Sequence, residues 1–201
     1  MTLDETQALR TVYALQLGDG LATVEAIARE TGESSDDVLA VLRTAAASSL
    51  IELKGVEASL SPLGRRRLKV VMIGGAFEII HPGHLHTIEQ ARKLGDTLVV
   101  VVATDKSVVK NKGRDPVTPQ ASRVKLVAAV RGVDVSIPGG QGSIYDTLER
   151  VRPDVVALGY DQTHNPADIE SEAARRGLNL SVVRLTSPLP DIKTSKIVNA
   201  L

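Results

Sequence analysis

The spacing of hydrophobic residues changes about one third of the way along the chain. In the first part, apolar residues recur every three or four positions, which is the spacing of one face of an α-helix. Helices are predicted at Leu3–Leu17 and Thr23–Glu30, and a third opens at Ser34. Residues 50–65 then alternate apolar and polar side chains around Gly55, which predicts a small β-hairpin. This part is therefore expected to contain three short helices and a hairpin.

Three helices followed by a hairpin resemble a winged helix-turn-helix module, and we predict such a domain at residues 1–67. The helix that would read DNA contains Asp36, Asp37 and only Arg43 as a cation, whereas the basic run Arg65–Arg67 lies beyond the hairpin. Contacts to a phosphate backbone need clustered cations on the contacting element. Two alternatives stay open, DNA binding and a structural, regulatory or dimerisation role, and the basic run is equally explained as a solvated linker.

From Leu68 onward, strand-like and helix-like stretches alternate, which predicts a parallel sheet with helices on both faces. Thr97–Ala103 is almost purely aliphatic, as expected of a central strand buried on both sides. The other predicted strands are Val70–Ile73, Val133–Ile137, Val155–Leu158 and Leu180–Leu185. The predicted helices begin at Pro82 and span Arg123–Val130, Ile144–Val151 and Ala167–Arg176, with a last turn at Ser195–Ala200. We therefore predict an α/β, Rossmann-like domain at residues 68–201.

Two histidines stand where the first of these strands passes into a helix. Gly74–Gly75 lets the strand end turn sharply, and Pro82 suits the first turn of the helix, so His81 and His84 lie at the helix N-terminus. Unpaired amides and a partial positive charge at this position suit a phosphate, to which two imidazoles can donate further hydrogen bonds. The alternative is that both rings merely cap the helix or satisfy nearby carbonyls.

A zinc site is a weaker alternative for the same histidines. Its further ligands would be His86 and the distant His164, and the chain has no cysteine to complete a tetrahedron. We therefore predict no resident metal site.

Composition and charge narrow the class of protein. Lys plus Arg equals Asp plus Glu at 24 each, so no global field favours nucleic acid. Without cysteine, disulfide and thiolate chemistry are excluded, and no apolar run is long enough to span a bilayer. The first residues lack the charged and apolar regions of a secretory signal. We therefore expect a cytoplasmic protein without membrane contact.

Two further candidate segments follow predicted strands, and ligands gather at the carboxyl ends of such strands. Residues 104–114 form a predicted loop with four cations, which either folds over a phosphate or is a solvated surface loop. Gly159–Gln162 follows the strand Val155–Leu158 and is either part of a nucleotide site or a plain turn.

The stretch Gly74–His84 resembles the HxGH nucleotidyltransferases of the cytidylyltransferase-like family, whose signature is Gly-Gly-x-Phe-Asp-x-x-His-x-Gly-His. The resemblance implies a HUP-type domain that transfers a nucleotidyl group from a nucleoside triphosphate to a phosphate-bearing acceptor and releases pyrophosphate. It implies nucleotide contacts from the matching residues Gly75, Ala76, Phe77, Glu78, His81 and His84. Glu78 stands where the family usually has Asp, one methylene shorter.

The resemblance also assigns roles further along the chain. It implies that Lys110 and Lys112 hold the acceptor phosphate, and that these lysines are catalytic together with His81 and His84. Arg123, which opens the next helix in relatives, is expected to contact the nucleotide. Gly159 and Asp161 match a Gly-x-Asp element near the nucleotide, and Ile192–Ile197 resembles the second family signature, in which Thr194 and Ser195 would hold the β- and γ-phosphates.

Taken together, the motifs from Lys69 to Leu201 are most similar to those of archaeal FAD synthases. This resemblance implies that ATP and FMN give FAD and pyrophosphate with Mg²⁺ or another divalent cation, in what we expect to be a homodimer. Two alternatives remain. One is a CTP-dependent cytidylyltransferase acting on a phosphoalcohol such as glycerol or inositol phosphate. The other is a nucleotide-sensing regulator that binds DNA.

Overall fold

A computed structural model of the protein describes residues 3–18 and 20–186. The chain divides into two compact units, Met1–Lys69 and Val70–Leu201, which are described separately below. Within the described ranges, every helix is too short or too polar to cross a membrane.

The N-terminal unit begins with three helices, as predicted. They are α1 (Glu5–Leu17), α2 (Val24–Thr31) and α3 (Ser35–Ala47). Each helix starts behind a polar residue whose side chain accepts a hydrogen bond from a backbone amide of the first turn, and these residues are Asp4, Thr23 and Ser34. The apolar faces of the helices meet in a core that includes Leu9, Ile27 and Leu42, each at most 2% exposed.

The hairpin follows α3, with β1 (Ile51–Lys54) antiparallel to β2 (Glu57–Leu60). A solvated linker was one interpretation of the basic run behind it, but Pro62–Arg67 forms a short helix, α4. Ser61 accepts from the Gly64 amide, and Pro62 occupies the first turn, where it needs no amide partner. The basic run Arg65–Arg67 is therefore the last turn of a helix.

The second unit contains a parallel sheet of five described strands in the order β5-β4-β3-β6-β7. The strands are β3 (Val70–Gly75), β4 (Thr97–Val102), β5 (Val135–Pro138), β6 (Val155–Leu158) and β7 (Ser181–Arg184). This arrangement confirms the predicted α/β class. All the strands run in one direction, so their carboxyl ends lie along one edge of the sheet.

Helices connect the strands of this sheet. They are α5 (Pro82–Arg92), α6 (Asp105–Lys112), α7 (Gln120–Ala128), α8 (Ile144–Val151) and α9 (Pro166–Arg175). Side chains of β3 and β4 pack with Ile88 and Ala91 of α5 and Val127 of α7 in one hydrophobic cluster. Leu85 of α5 lies outside this cluster and is 41% exposed.

Two segments beside the sheet edge differ from the sequence prediction. The stretch 104–114 was predicted as a loop, but most of it is α6, which begins behind Thr104 and ends at Gly113 in the left-handed conformation. Strand β3 also continues through Gly74 and Gly75, which pair with Val101 and Val102, so the sharp turn comes after the glycines.

That turn is made by Phe77, which has a left-handed backbone (φ 49°) although it is not glycine. Its ring is 3% exposed and lies against the backbone of β3. A Cβ atom on Gly75 would come within 2.9 Å of this ring, so the strand end needs a residue without a side chain.

We expect Gly75→Ala to lower the free energy of unfolding of the second unit by about 1–3 kcal/mol, which is the usual cost of forcing extra volume into a packed site. The matched control is Gly74→Ala, whose added Cβ would meet nothing closer than 3.8 Å. Because this change only stiffens the unfolded chain, the control should be neutral or slightly stabilising. Urea unfolding of both variants measures the difference, and equal stability would contradict the packing argument.

Candidate functional site

His81 and His84 stack on each other at the start of α5. Their ring centroids are 3.9 Å apart with an interplanar angle of 28°, and the Phe77 ring lies 5.0 Å from that of His84. His81 is the N-cap residue of α5, but its side chain makes no capping hydrogen bond. The Nδ1 atoms of both rings are buried without a hydrogen-bond partner in the described part of the chain. His81 therefore makes no capping hydrogen bond, and the backbone of Ile79 acts on the His84 ring.

Both imidazoles are held in the uncharged form. Burial, followed by the charges of His81 and Lys112, lowers the pKa of His84 to about 4, although the nearby carbonyl of Ile79 acts in the opposite direction. Burial and the Lys112 charge also lower the pKa of His81. A pair of neutral rings next to a lysine can receive an anion, since an approaching negative charge favours their protonated forms.

Glu78 is a buried carboxylate that ties the turn before α5 to the segment that follows α6. It is 3% exposed and accepts hydrogen bonds from Lys112, from Arg114 at 2.8 Å and from the Val117 amide at 3.3 Å. Burial alone would raise the pKa of Glu78, but the hydrogen bonds from Lys112 and Arg114 outweigh it, so the net pKa is lowered and the group stays ionised. The carboxylate therefore acts on the site by holding Lys112.

A cavity of about 520 Å³ opens at the carboxyl ends of the strands. Five of the residues predicted from the sequence line it, namely Gly75, Ala76, Lys110, Lys112 and Asp161. The other predicted residues in the described ranges are not among the residues that line it, namely Phe77, Glu78, His81, His84, Arg123 and Gly159. Lys112 lines the cavity, and its charge acts on both histidine rings. Thr194 and Ser195 lie outside the described residues, as does the last predicted helical turn.

Arg123 is a buried residue whose side chain binds groups of the protein itself. Its side chain is fully buried, and its guanidinium donates to the carbonyls of Ala76, Ala103 (2.9 Å) and Thr118 (3.0 Å) and to Asp105 Oδ1 (2.6 Å). A buried cation of this kind is stable only when its donors are satisfied, and here the protein satisfies them. Arg123 therefore joins the ends of β3 and β4 in this structure, and the predicted nucleotide contact stays a prediction.

The loop behind β6 is attached to β3 by a side chain that the sequence argument did not select. Gln162 donates to the Gly74 carbonyl at 2.8 Å and accepts from the Gly159 amide at 3.1 Å. The prediction chose Gly159 and Asp161 from the same motif and passed over Gln162, because an amide that binds backbone groups leaves no periodic or charge pattern. Arg114 was noted only as one cation of a predicted loop, although it is a partner of Glu78.

Comparison with known proteins identifies the class. The family described as cytidylyltransferase-like matches residues 72–200, so the chain belongs to this family, and the predicted class of nucleotidyltransferase is confirmed.

Among curated relatives, the FAD synthase of Pyrococcus horikoshii is 42% identical over 139 residues, covering 68% of this chain and 93% of the relative. The FAD synthase of Archaeoglobus profundus is 44% identical over 115 residues, covering 57% of this chain and 73% of the relative. A solved structure named as a lipopolysaccharide core biosynthesis protein, from Thermoplasma volcanium, superimposes with a TM-score of 0.57 at 38% identity, covering 60% of this chain and 98% of that one. These relatives support the family, and the solved structure supports the α/β fold.

The low pKa of His84 has a consequence for stability. The ordinary pKa is 6.5, so between about pH 6.5 and 4 the unfolded chain binds a proton at this position that the folded chain does not. His84 therefore does not lower the free energy of unfolding above about pH 6.5, and it lowers this free energy increasingly as the pH drops through that window. We expect the melting temperature to fall less between pH 8 and pH 5 in His84→Gln than in the wild type. Equal decreases in the two proteins would show that His84 is not held neutral.

Proposed function

We propose that this protein is an FMN adenylyltransferase, that is, a FAD synthase that converts ATP and FMN to FAD and pyrophosphate. The observation that carries the proposal is the stacked, neutral pair His81 and His84 at a helix N-terminus, together with Lys112, which acts on both rings and lines a cavity at the carboxyl ends of parallel strands. Membership of the cytidylyltransferase-like family supplies the reaction class, nucleotidyl transfer. The identity of 42% to a FAD synthase of which the chain covers 93% supplies the substrates.

In the proposed reaction, a phosphate oxygen of FMN attacks the α-phosphorus of ATP in line. The bond from this phosphorus to the bridging oxygen of the leaving group breaks, and pyrophosphate departs. Imidazole N–H groups of His81 and His84, with the backbone amide of Gly83 in the first turn of α5, would donate to the oxygens on which negative charge builds. The rings are neutral before the substrate arrives, so the triphosphate would itself favour their protonation.

The two lysines of the cavity wall are not equally available. Lys112 is paired with Glu78, whereas the Lys110 ammonium has no ion pair or hydrogen bond to any described residue. We therefore assign Lys110 to the FMN phosphate, where a free ammonium would orient the attacking oxygen. Lys112 would be a second contact to the phosphates, shared between the substrate and Glu78.

A divalent cation, Mg²⁺, belongs to the proposed reaction. In the described ranges, no group of three or more His, Cys, Asp or Glu side chains could hold a metal ion. This fits a cation that enters with the triphosphate, because Mg²⁺ usually binds one or two carboxylates together with substrate phosphates. Asp161 is the carboxylate among the described lining residues and would hold it. When bound, Mg²⁺ would neutralise charge on the leaving pyrophosphate.

For the N-terminal unit, DNA binding stays a prediction. The first turn of α3 carries Asp36 and Asp37, whereas the basic residues Arg65–Arg67 lie in the last turn of α4. Any surface that contacts phosphates would therefore centre on α4. The homodimer expected from the resemblance also stays a prediction.

A pyrophosphate-release screen tests the function. Purified protein with Mg²⁺ is offered ATP or CTP, each with FMN, glycerol phosphate, inositol phosphate or no acceptor. We expect release only with ATP and FMN together, with FAD as the second product by chromatography. Faster release with CTP and a phosphoalcohol would replace the proposal by the cytidylyltransferase alternative. No release with any pair would contradict transferase activity.

We expect His84→Ala to lower the turnover number for FAD formation by about 100-fold, the usual cost of removing one preorganised transition-state donor. The matched control is His86→Ala, which removes an imidazole from the same helix but not from the stacked pair. This control should retain the wild-type rate. Near-normal turnover in His84→Ala, with the far-ultraviolet spectrum unchanged, would remove His84 from the mechanism.

A further inference from the structure

Arg184, the last residue of strand β7, donates hydrogen bonds to the backbone of the loop formed by residues 159–164. Its guanidinium donates to the carbonyls of Gly159 at 3.2 Å, Gln162 at 2.6 Å and His164 at 2.7 Å. One side chain therefore binds three carbonyl groups within six consecutive residues. The sequence prediction gave Arg184 no role, since it falls inside a predicted strand.

The direction of these carbonyls determines the direction of the amides that follow them. In a trans peptide unit the C=O and N–H bonds point to opposite sides. The Gln162 carbonyl faces Arg184, so the N–H of Thr163 faces away from it. Thr163 lines the cavity, and its amide has no acceptor in the part of the chain that the structure describes. A backbone donor next to the cavity is thus left for a ligand.

The loop is fixed from its other side as well. Gln162 binds both the Gly159 amide and the Gly74 carbonyl of β3. Arg184 and Gln162 together hold the loop between β7 and β3, at the same edge of the sheet as the cavity. A fixed N–H group is suited to an acceptor nitrogen or oxygen on the edge of a nucleobase, because its position is set before the ligand arrives.

We propose that Arg184 is a positioning residue for the nucleobase of the triphosphate: it orients the 159–164 loop so that the Thr163 amide reads an acceptor atom of the base. The inference rests on the proposed nucleotidyl transfer and extends it to a residue outside the family signatures. This role requires arginine at position 184. Lysine would offer one ammonium in place of a planar fork and could not hold the three carbonyls together.

The Thr163 amide would bind the base equally in the ground state and the transition state, so loss of Arg184 should affect KM rather than kcat. We expect Arg184→Ala and Arg184→Lys to raise KM for ATP about tenfold, with kcat and KM for FMN within about twofold of the wild type. The matched control is Arg175→Ala, an exposed arginine of α9 paired with Glu172. This control should leave all three constants unchanged.

Two results would overturn the proposal. One is a KM for ATP within about twofold of the wild type in Arg184→Ala, and the other is an equal rise of KM for ATP and for FMN, which would indicate general disturbance of the cavity. Hydrogen exchange supplies a second readout: amides of residues 160–164 should exchange faster in Arg184→Ala than in Arg175→Ala, and unchanged exchange would also overturn it.

Failure of the proposed function would be recognised separately. If the wild type forms no FAD, the steady-state experiment is replaced by equilibrium binding of ATP and CTP measured by calorimetry. Weaker binding of a triphosphate to Arg184→Ala than to Arg175→Ala would still support the positioning role. Equal binding to both variants, or none to the wild type, would overturn it.

Discussion

The arrangement of the site depends on the guanidinium of Arg123, which is fully buried where β3 and β4 end. Moving a charge out of water is costly unless its donors are satisfied, and here three carbonyls and one carboxylate satisfy them. Two of these carbonyls belong to the residues that directly follow the two strands, Ala76 and Ala103. The positions of the strand ends, and hence of the cavity wall, are therefore coupled to one side chain.

A second buried charge, the carboxylate of Glu78, extends this coupling to the cations. Its partners Lys112 and Arg114 come from the end of α6 and from the residues behind it. The side chain at this position is one methylene longer than the aspartate usual in the family, and in this protein it bridges from the turn before α5 to α6. The two buried charges thus act on the site indirectly, one through backbone carbonyls and the other through a lysine that lines the cavity.

Much of the fold could be predicted because its local signals agree. Strand β6 and helix α8 have the predicted limits, since a short aliphatic run and a capped amphipathic stretch are bounded by clear breaks. Helix α6 was missed because its stretch is polar and rich in lysine, and its caps, Thr104 and Gly113, were interpreted as parts of a loop. Helix α4 was missed for a similar reason: one helical turn with Pro62 in it resembles a chain break.

The site was predictable where residue type and spacing carry the chemistry, as at His81 and His84, and not where a side chain binds the backbone. Arg123 and Arg184 donate mainly to carbonyl groups, which every residue possesses, so no sequence pattern reveals their partners. The stacking of the histidine rings also affects how the two imidazoles are protonated. With centroids 3.9 Å apart, a charge on either imidazole opposes a charge on the other, so the two rings take up their protons in separate steps. A polyphosphate arriving beside the neutral pair would therefore favour a proton on one ring first, and a second proton on the other ring only at a further cost in free energy.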